Sequence, residues 1–286
     1  MILCLCLIIA GLPILMTLVF QGDEILLDTD SNEMQHKSSH PDEEEKMAAL
    51  VSILARDIPV TYEEEAIRAQ AVIVRTNYEY ALSQGKAPET GLSVAEQTKL
   101  FGNENYNRYY QKLENCLIDT EGEVLTYQGQ EIEAPYFAVS AEKTRGTELP
   151  YLKSAESIWD ITSEDFLKVE FYDAGELVDT CNQAFPEAGL TTEDWVNTLV
   201  VTEREESGYV KTIQVGNSSV SGEEFRKAFS LNSGCFYIRE IDGRVRIVTK
   251  GLGHGYGLSI YGANEMAKEG KTYQEILSYY YSGIEI

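Results

Sequence analysis

The stretch Pro59-Val-Thr-Tyr-Glu-Glu-Glu-Ala-Ile-Arg-Ala-Gln-Ala-Val-Ile-Val-Arg-Thr76 reads as the opening of a long helix. Thr61 followed by Glu64 predicts a capping box, in which hydroxyl and carboxylate satisfy each other's backbone N–H groups. Glu63 falls in the first turn, where the helix dipole favours an anion. Glu65 differs from these two acids. Steps of three and four residues place it above Ala69, Val72 and Thr76, a small and apolar face that should pack inward. A carboxylate on such a face is costly unless it is paired or employed. Arg68, three residues on, offers an ion pair, so the segment alone leaves a structural and a functional role open for Glu65. The helix is expected to continue to about Gln84 and to stop at Gly85.

Outward from this helix, 286 residues at 43% hydrophobic suffice for one substantial core or two small ones. The 23 basic and 47 acidic residues give a net charge of -24, which argues against nucleic acid as a ligand because phosphate neutralisation needs Lys and Arg. The 18 tyrosines suit a groove for sugars or peptides, since each offers an apolar face with a polar tip. Cys116, Cys181 and Cys235 lack the spacing of a zinc site, so buried free thiols are expected, with a single bridge as the alternative.

Met1 to Phe20 carries no charge and is long enough to cross a bilayer, so residues 1–20 are expected to be an N-terminal transmembrane anchor. The acidic flank Asp23-Glu24 places the rest of the chain outside the cytoplasm. Residues 21–46 read as an acidic flexible linker, with His36 and His40 solvated in it. Residues 47–286 form the expected single extracytoplasmic domain. A helical period begins at Lys46 with Met47, Leu50, Val51, Leu54 and Ala55. Strands are expected over 123–127 and 132–140, with hairpins at Ser207-Gly208 and Asp242-Gly243 and a helix over 221–231. Mixed helices with mostly antiparallel strands make the fold class α+β.

The run Gly251-Leu-Gly-His-Gly-Tyr-Gly-Leu-Ser-Ile-Tyr-Gly-Ala263 is the most unusual in the chain. Alternate glycines around His254 permit positive φ and close backbone approach, and the run leads from a strand into a helix, where N–H groups can be aimed at a ligand. It lacks the pattern of a phosphate-binding loop, and Ser259 lacks the flanking glycines of a nucleophile elbow. His254 with Cys235 as a nucleophile pair is a further possibility, without a local signature to support it.

The helix Glu65 to Thr76 resembles the E-A-L-K-A-Q-A-V-A-A-R-T signature of the stage II sporulation protein D family, and Gly251 to Ala263 is similar to its G-W-G-H-G-V-G-M-S-Q-Y-G-A. Val220 to Arg226 resembles its V-x-G-x-E-x-R segment, Pro150 to Ser154 its P-Y-L-x-S, and the C-terminal Lys271 to Leu277 also fits. The resemblance spans about residues 47–286 in the family's order. It implies a lytic transglycosylase that cleaves peptide-free peptidoglycan glycan strands during sporulation engulfment. It also implies a partner cell-wall amidase, other engulfment proteins, and a single-pass location in the mother-cell membrane facing the septal wall. The family's catalytic glutamate falls on Glu65. Gln70, Arg75, His254, Tyr256 and Ser259 are the expected substrate-binding residues, and no cofactor is implied. Where the family carries Y-H-S-T-S-G-G-x-T, this chain has Tyr136-Phe-Ala-Val-Ser-Ala-Glu-Lys-Thr144. The histidine that binds zinc with cysteine in some relatives is absent, so no metal is expected. The same departure favours an alternative: a non-catalytic glycan-binding or amidase-enhancing wall protein of this domain family.

Overall fold

The computed structural model describes residues 41–286. The expected anchor and all but the last residues of the linker lie outside them, and no described helix is long and apolar enough to cross a membrane. The first described helix, α1 (Pro41–Asp57), begins inside the stretch expected to be linker. Proline is favoured at the first helical position, and Asp42, Glu43 and Glu44 in the first turn complement the dipole, so this acidic run starts a helix. There follow α2 (Glu64–Ser83), α3 (Val94–Phe101) and α4 (Tyr106–Asp119). Short strands come next: β1 (Thr126–Tyr127), β2 (Gln130–Glu131), β3 (Tyr136–Phe137), β4 (Glu142–Lys143) and β5 (Glu156–Ser157). After them lie β6 (Leu167–Asp173), α5 (Ala174–Ala184), α6 (Trp195–Thr198), β7 (Leu199–Arg204), β8 (Val210–Val215), β9 (Ser218–Ser221) and α7 (Gly222–Ala228). The chain closes with β10 (Cys235–Ile241), β11 (Arg244–Lys250), β12 (Leu258–Ser259), α8 (Ile260–Lys268) and α9 (Tyr273–Tyr280). The α+β expectation agrees with this mixture of helices and antiparallel strands.

Two hydrophobic cores organise it. The first lies among helices: Leu54 of α1, Ile67 and Ile73 of α2, Leu113 and Leu117 of α4, and Ile276 and Leu277 of α9 are all buried together. The second lies between two antiparallel three-stranded sheets, β10-β11-β6 and β7-β8-β9, and helices α5 and α7. Phe225 stacks there on Phe229 and Phe236, with ring centroids 4.6 and 5.1 Å apart. Both expected hairpins form. Asp242 (φ 53°) and Gly243 (φ 77°) take the left-handed pair that a two-residue turn between twisted strands requires. The longer strands expected over 123–127 and 132–140 shrink to two-residue pieces, because this segment follows other parts of the chain instead of a partner strand.

Its principal companion is the glycine run. Val139 and Leu252 exchange backbone hydrogen bonds, Arg145 donates to the Gly255 carbonyl at 2.7 Å, and β12 runs parallel to β3. Gly251, Gly253, Gly255 and Gly257 all have positive φ. At Gly257 a Cβ would stand 1.8 Å from the Pro135 carbonyl oxygen, and at Gly253 it would stand 2.7 Å from Cβ of Phe137. Close packing, more than ligand binding, accounts for the alternation. Gly257→Ala is therefore expected to destabilise the fold by on the order of 3 kcal/mol through strain and overlap. Gly243→Ala, with φ 77° but nothing within 4 Å, should cost only about 1 kcal/mol. Urea denaturation of the two variants checks the ranking.

Candidate functional site

Helix α2 starts at Glu64, with Glu63 as N-cap and no side-chain cap. The expected Thr61–Glu64 box does not form. The Glu63 N–H instead donates to Asn264 Oδ1 of α8 at 2.9 Å, a long-range contact that replaces the local one. Glu65 sits one residue into the helix with its side chain 34% exposed. Its Oε1 accepts from Arg68 Nη1 at 2.7 Å, and its Oε2 accepts from the Tyr273 N–H at 2.7 Å. Tyr273 opens α9, so the carboxylate lies at the positive end of a second helix. Arg68 also holds Glu64 and Asp119. Burial alone would lower the Arg68 pKa, but the Asp119 hydrogen bond and the charges of Glu65 and Asp119 outweigh it and raise it. Beside this network an open cleft of about 560 Å³ runs between α2 and α4, lined by Glu64, Arg68, Arg108, Lys112, Asn115 and Asp119 among others.

The other expected site residues are not gathered around Glu65. Gln70 is completely buried, and neither of its amide atoms meets a hydrogen-bond partner among the described residues. Arg75 is buried too, and it caps α4. Its guanidinium donates to the carbonyls of Leu117 (2.7 Å), Thr120 (2.6 Å) and Glu123 (3.1 Å), groups that a helix C-terminus leaves unpaired. Ser259, fully buried, caps α8 by accepting from the Gly262 N–H and donates to Asp160 at 2.5 Å. All three of these side chains, expected to contact substrate, are buried here, because the face that carries Gln70 and Arg75 is the one α2 packs inward.

His254 and Tyr256 occupy a different place. The His254 ring packs against Phe137 and stacks on Tyr256, and its Nδ1 accepts from the Tyr256 N–H at 3.1 Å. Burial pushes its pKa down, which keeps the ring neutral. Arg145 joins this pair: it lies 4.3 Å over the Tyr256 ring, donates to the His254 carbonyl, and makes a two-point ion pair with Glu205 at 3.0 and 2.5 Å. Cys235 is not a partner of His254. Its buried thiol donates to the Gly208 carbonyl, and burial raises its pKa. Among the described residues no hydrogen bond or ion pair joins the Glu65 network to the His254 cluster. No group of three or more His, Cys, Asp or Glu side chains is arranged to hold a metal among the described residues.

Comparison with known proteins fits this picture. A family model described as SpoIID, stage II sporulation protein, matches residues 45–127, which hold α2 and Glu65. Stage II sporulation protein D of Bacillus subtilis is 31% identical over 257 residues, covering 83% of this chain and 73% of that protein. The chain belongs to the stage II sporulation protein D family. The Bacillus amyloliquefaciens protein of the same name is 30% identical with similar coverage, and the amidase enhancer of Bacillus subtilis is 22% identical over 82% of this chain and 39% of its own length.

Two features of this SpoIID-family chain escaped the motif comparison. One is the Arg145–Glu205 pair, whose members stand 60 residues apart and leave no local signal. The other is Asp160, fully buried and accepting from Ser157 Oγ (2.5 Å), Ser259 Oγ (2.5 Å) and the Ser140 N–H (2.8 Å). Burial raises its pKa from 3.8 to about 6 in spite of these three donors. The folded state thus binds the proton more tightly than the unfolded one, so this stabilisation is full below about 3.8 and disappears as pH rises through about 6. Asp160→Asn removes the titration while keeping an acceptor for Ser140 and Ser259. Thermal melts across that window should show wild-type stability falling relative to the variant by about 3 kcal/mol. Parallel pH profiles would assign the buried proton elsewhere. Arg75→Met, which takes the guanidinium from the Leu117, Thr120 and Glu123 carbonyls and leaves Thr120 only the Glu123 N–H, should cost at least about 2 kcal/mol in chemical denaturation.

Proposed function

We propose that this chain is a membrane-anchored lytic transglycosylase acting on peptide-free glycan strands of peptidoglycan during sporulation engulfment. In this reading Glu65 is its general acid and base. The observation that carries it is the setting of Glu65: one-third exposed, fixed by two contacts on two elements, and paired with Arg68, which lines the α2–α4 cleft. A single positioned carboxylate suits this chemistry, whereas hydrolysis of such a bond commonly needs two. Glu65 would donate a proton to the glycosidic oxygen as the bond to C1 breaks. It would then take the proton from the muramic C6 hydroxyl as that oxygen bonds to C1. The product is a 1,6-anhydro end, and no water is consumed. Arg68 and the Tyr273 N–H are both matched to a carboxylate, the form the second half of the reaction needs. In the first half, one of them must give way to a proton and the substrate.

His254 and Tyr256, partly exposed, are proposed to contact sugar through the imidazole edge and the phenol face. Arg75 and Ser259 would act by holding α4 and α8 in place rather than by touching substrate, and Gln70 would pack inside the first core. The apolar segment Met1–Phe20 would tether the domain, with the wall and a peptide-stripping amidase as its partners. A second reading, glycan binding or amidase enhancement without cleavage, is favoured by one observation: both Glu65 oxygens are already engaged.

Glu65→Gln keeps an oxygen for the Tyr273 N–H, and Arg68 retains Glu64 and Asp119, so the variant should lose no more than about 1 kcal/mol of stability. Its turnover of peptide-free strands should fall by about 10²- to 10⁴-fold, with anhydro-ended fragments produced by the wild type alone in mass spectrometry. Fragments that carry an added water would sink the transglycosylase assignment. Retention of strands by both proteins without cleavage would favour the second reading.

A further inference from the structure

Strand β6, Leu167-Lys-Val-Glu-Phe-Tyr-Asp173, pairs with β11 along one edge. No strand or other group of the described chain hydrogen-bonds its opposite edge. Three of its four outward side chains are apolar: Leu167 is 51%, Val169 39% and Phe171 47% exposed, with Asp173 at the strand's end. Val248 and Tyr237 continue the Val169 row across β11 and β10, so the open sheet face is apolar at its centre. An unpaired edge with an apolar face invites another strand, and soluble proteins usually blunt such an edge or cover it.

The sequence of β6 fits one partner closely, namely itself. About a two-fold axis at Val169, an antiparallel copy would set Leu167 opposite the partner's Phe171, and Lys168 opposite the partner's Glu170. By symmetry both pairs occur twice. Directly opposed residues share a face, so the apolar pairs fall on the open side and the charged pairs on the other. Within one chain Lys168 Nζ already lies 3.1 Å from Glu170 Oε1, whereas Glu170 Oε2 is buried and has no hydrogen-bond partner. Pairing would close an alternating ring of four charges. A one-residue slip would put Lys168 opposite an apolar residue and lose the match on both faces.

We infer that two copies of this chain associate through β6, antiparallel about Val169, joining their three-stranded sheets into one of six. This interface is isologous and closed, so it makes dimers and not fibres. It is independent of the proposed catalytic role. Five paired residues, Leu167 to Phe171, form an interface at the small end of specific contacts, so association should be in the micromolar range.

Sedimentation equilibrium of the full chain in density-matched detergent tests this. Lys168→Glu sets two carboxylates face to face at both symmetry-related positions, and Glu170→Lys does the same with two ammonium groups. The Lys168 side chain is 43% and the Glu170 side chain 25% exposed, so circular dichroism of each variant first checks that the fold is kept. Each single reversal is expected to weaken the dimer about tenfold, since two unfavourable pairs replace two favourable ones. An equimolar mixture of the two variants, or the double exchange in one chain, should restore it. A wild-type chain that stays monomeric, a dimer indifferent to both reversals, or singles rescued by neither combination would overturn the assignment. So would a monomer whose β6 amides become protected from hydrogen exchange only when glycan strands are added, because the edge would then have another occupant.

Discussion

Two backbones approach side by side without Cβ atoms between them where residues 251–257 lie along 135–145. Glycine at every second position, each with positive φ, is what lets the main chain lie there. From this seam the molecule extends both ways. The Asn232 carbonyl receives the Gly253 N–H on the side of the second core, and Ser259 caps α8 on the side of the first. His254 is held by the same seam, its ring between Phe137 and Tyr256. A side chain bracketed by glycines would ordinarily be free to swing. Here it is fixed, because the backbone on either side is bonded at each step.

Charge does the corresponding work around Glu65. Arg68 is the hub of three carboxylates, Glu64, Glu65 and Asp119, and so ties the first turn of α2 to the last turn of α4. Tyr273 adds α9, through its N–H to Glu65 and its hydroxyl to Glu123. In a chain with twice as many acids as bases, one arginine here serves three carboxylates. The structural pair and the functional acid that the sequence leaves as alternatives for Glu65 are thus compatible, since one oxygen pairs with Arg68 while the side chain remains one-third exposed.

Local rules made much of this fold legible. The Asp242-Gly243 and Ser207-Gly208 turns gave their hairpins, Gly85 ended α2, and the helix expected over 221–231 forms as the shorter α7, with a Ser221–Glu224 capping box at its start. What stayed hidden depends on partners distant in sequence. Thr61 and Glu64 obey the capping pattern, yet Asn264, some two hundred residues away, takes the backbone donor nearby. Gln70 and Arg75 lie in a helix that matches a family signature, and a signature does not separate a side chain that touches substrate from one that holds a helix end. Asp160 lies on a short 3₁₀ turn with no periodicity, and its burial is created by Ser157, Ser259 and Ser140 arriving from three directions. The strands around residues 123–140 read as ordinary ladders but are short pieces: β1 pairs with β2 and with Glu285, and only β3 lies against the glycine run.

The three described cysteines lie in separate surroundings: Cys116 in the helical core, Cys181 in the sheet core, and Cys235 beside Tyr209 and Ala141. Burial pushes the Cys116 thiol up to about 11 and the Cys181 thiol up to about 12. Since the thiolate is the form that attacks disulfides and is oxidised, these sulfurs are nearly inert at neutral pH. The described domain therefore reaches its packed state with no cross-link to form and none to reshuffle. Its folding needs neither an oxidant nor a disulfide isomerase, and a change from reducing to oxidising surroundings leaves its covalent structure as it was.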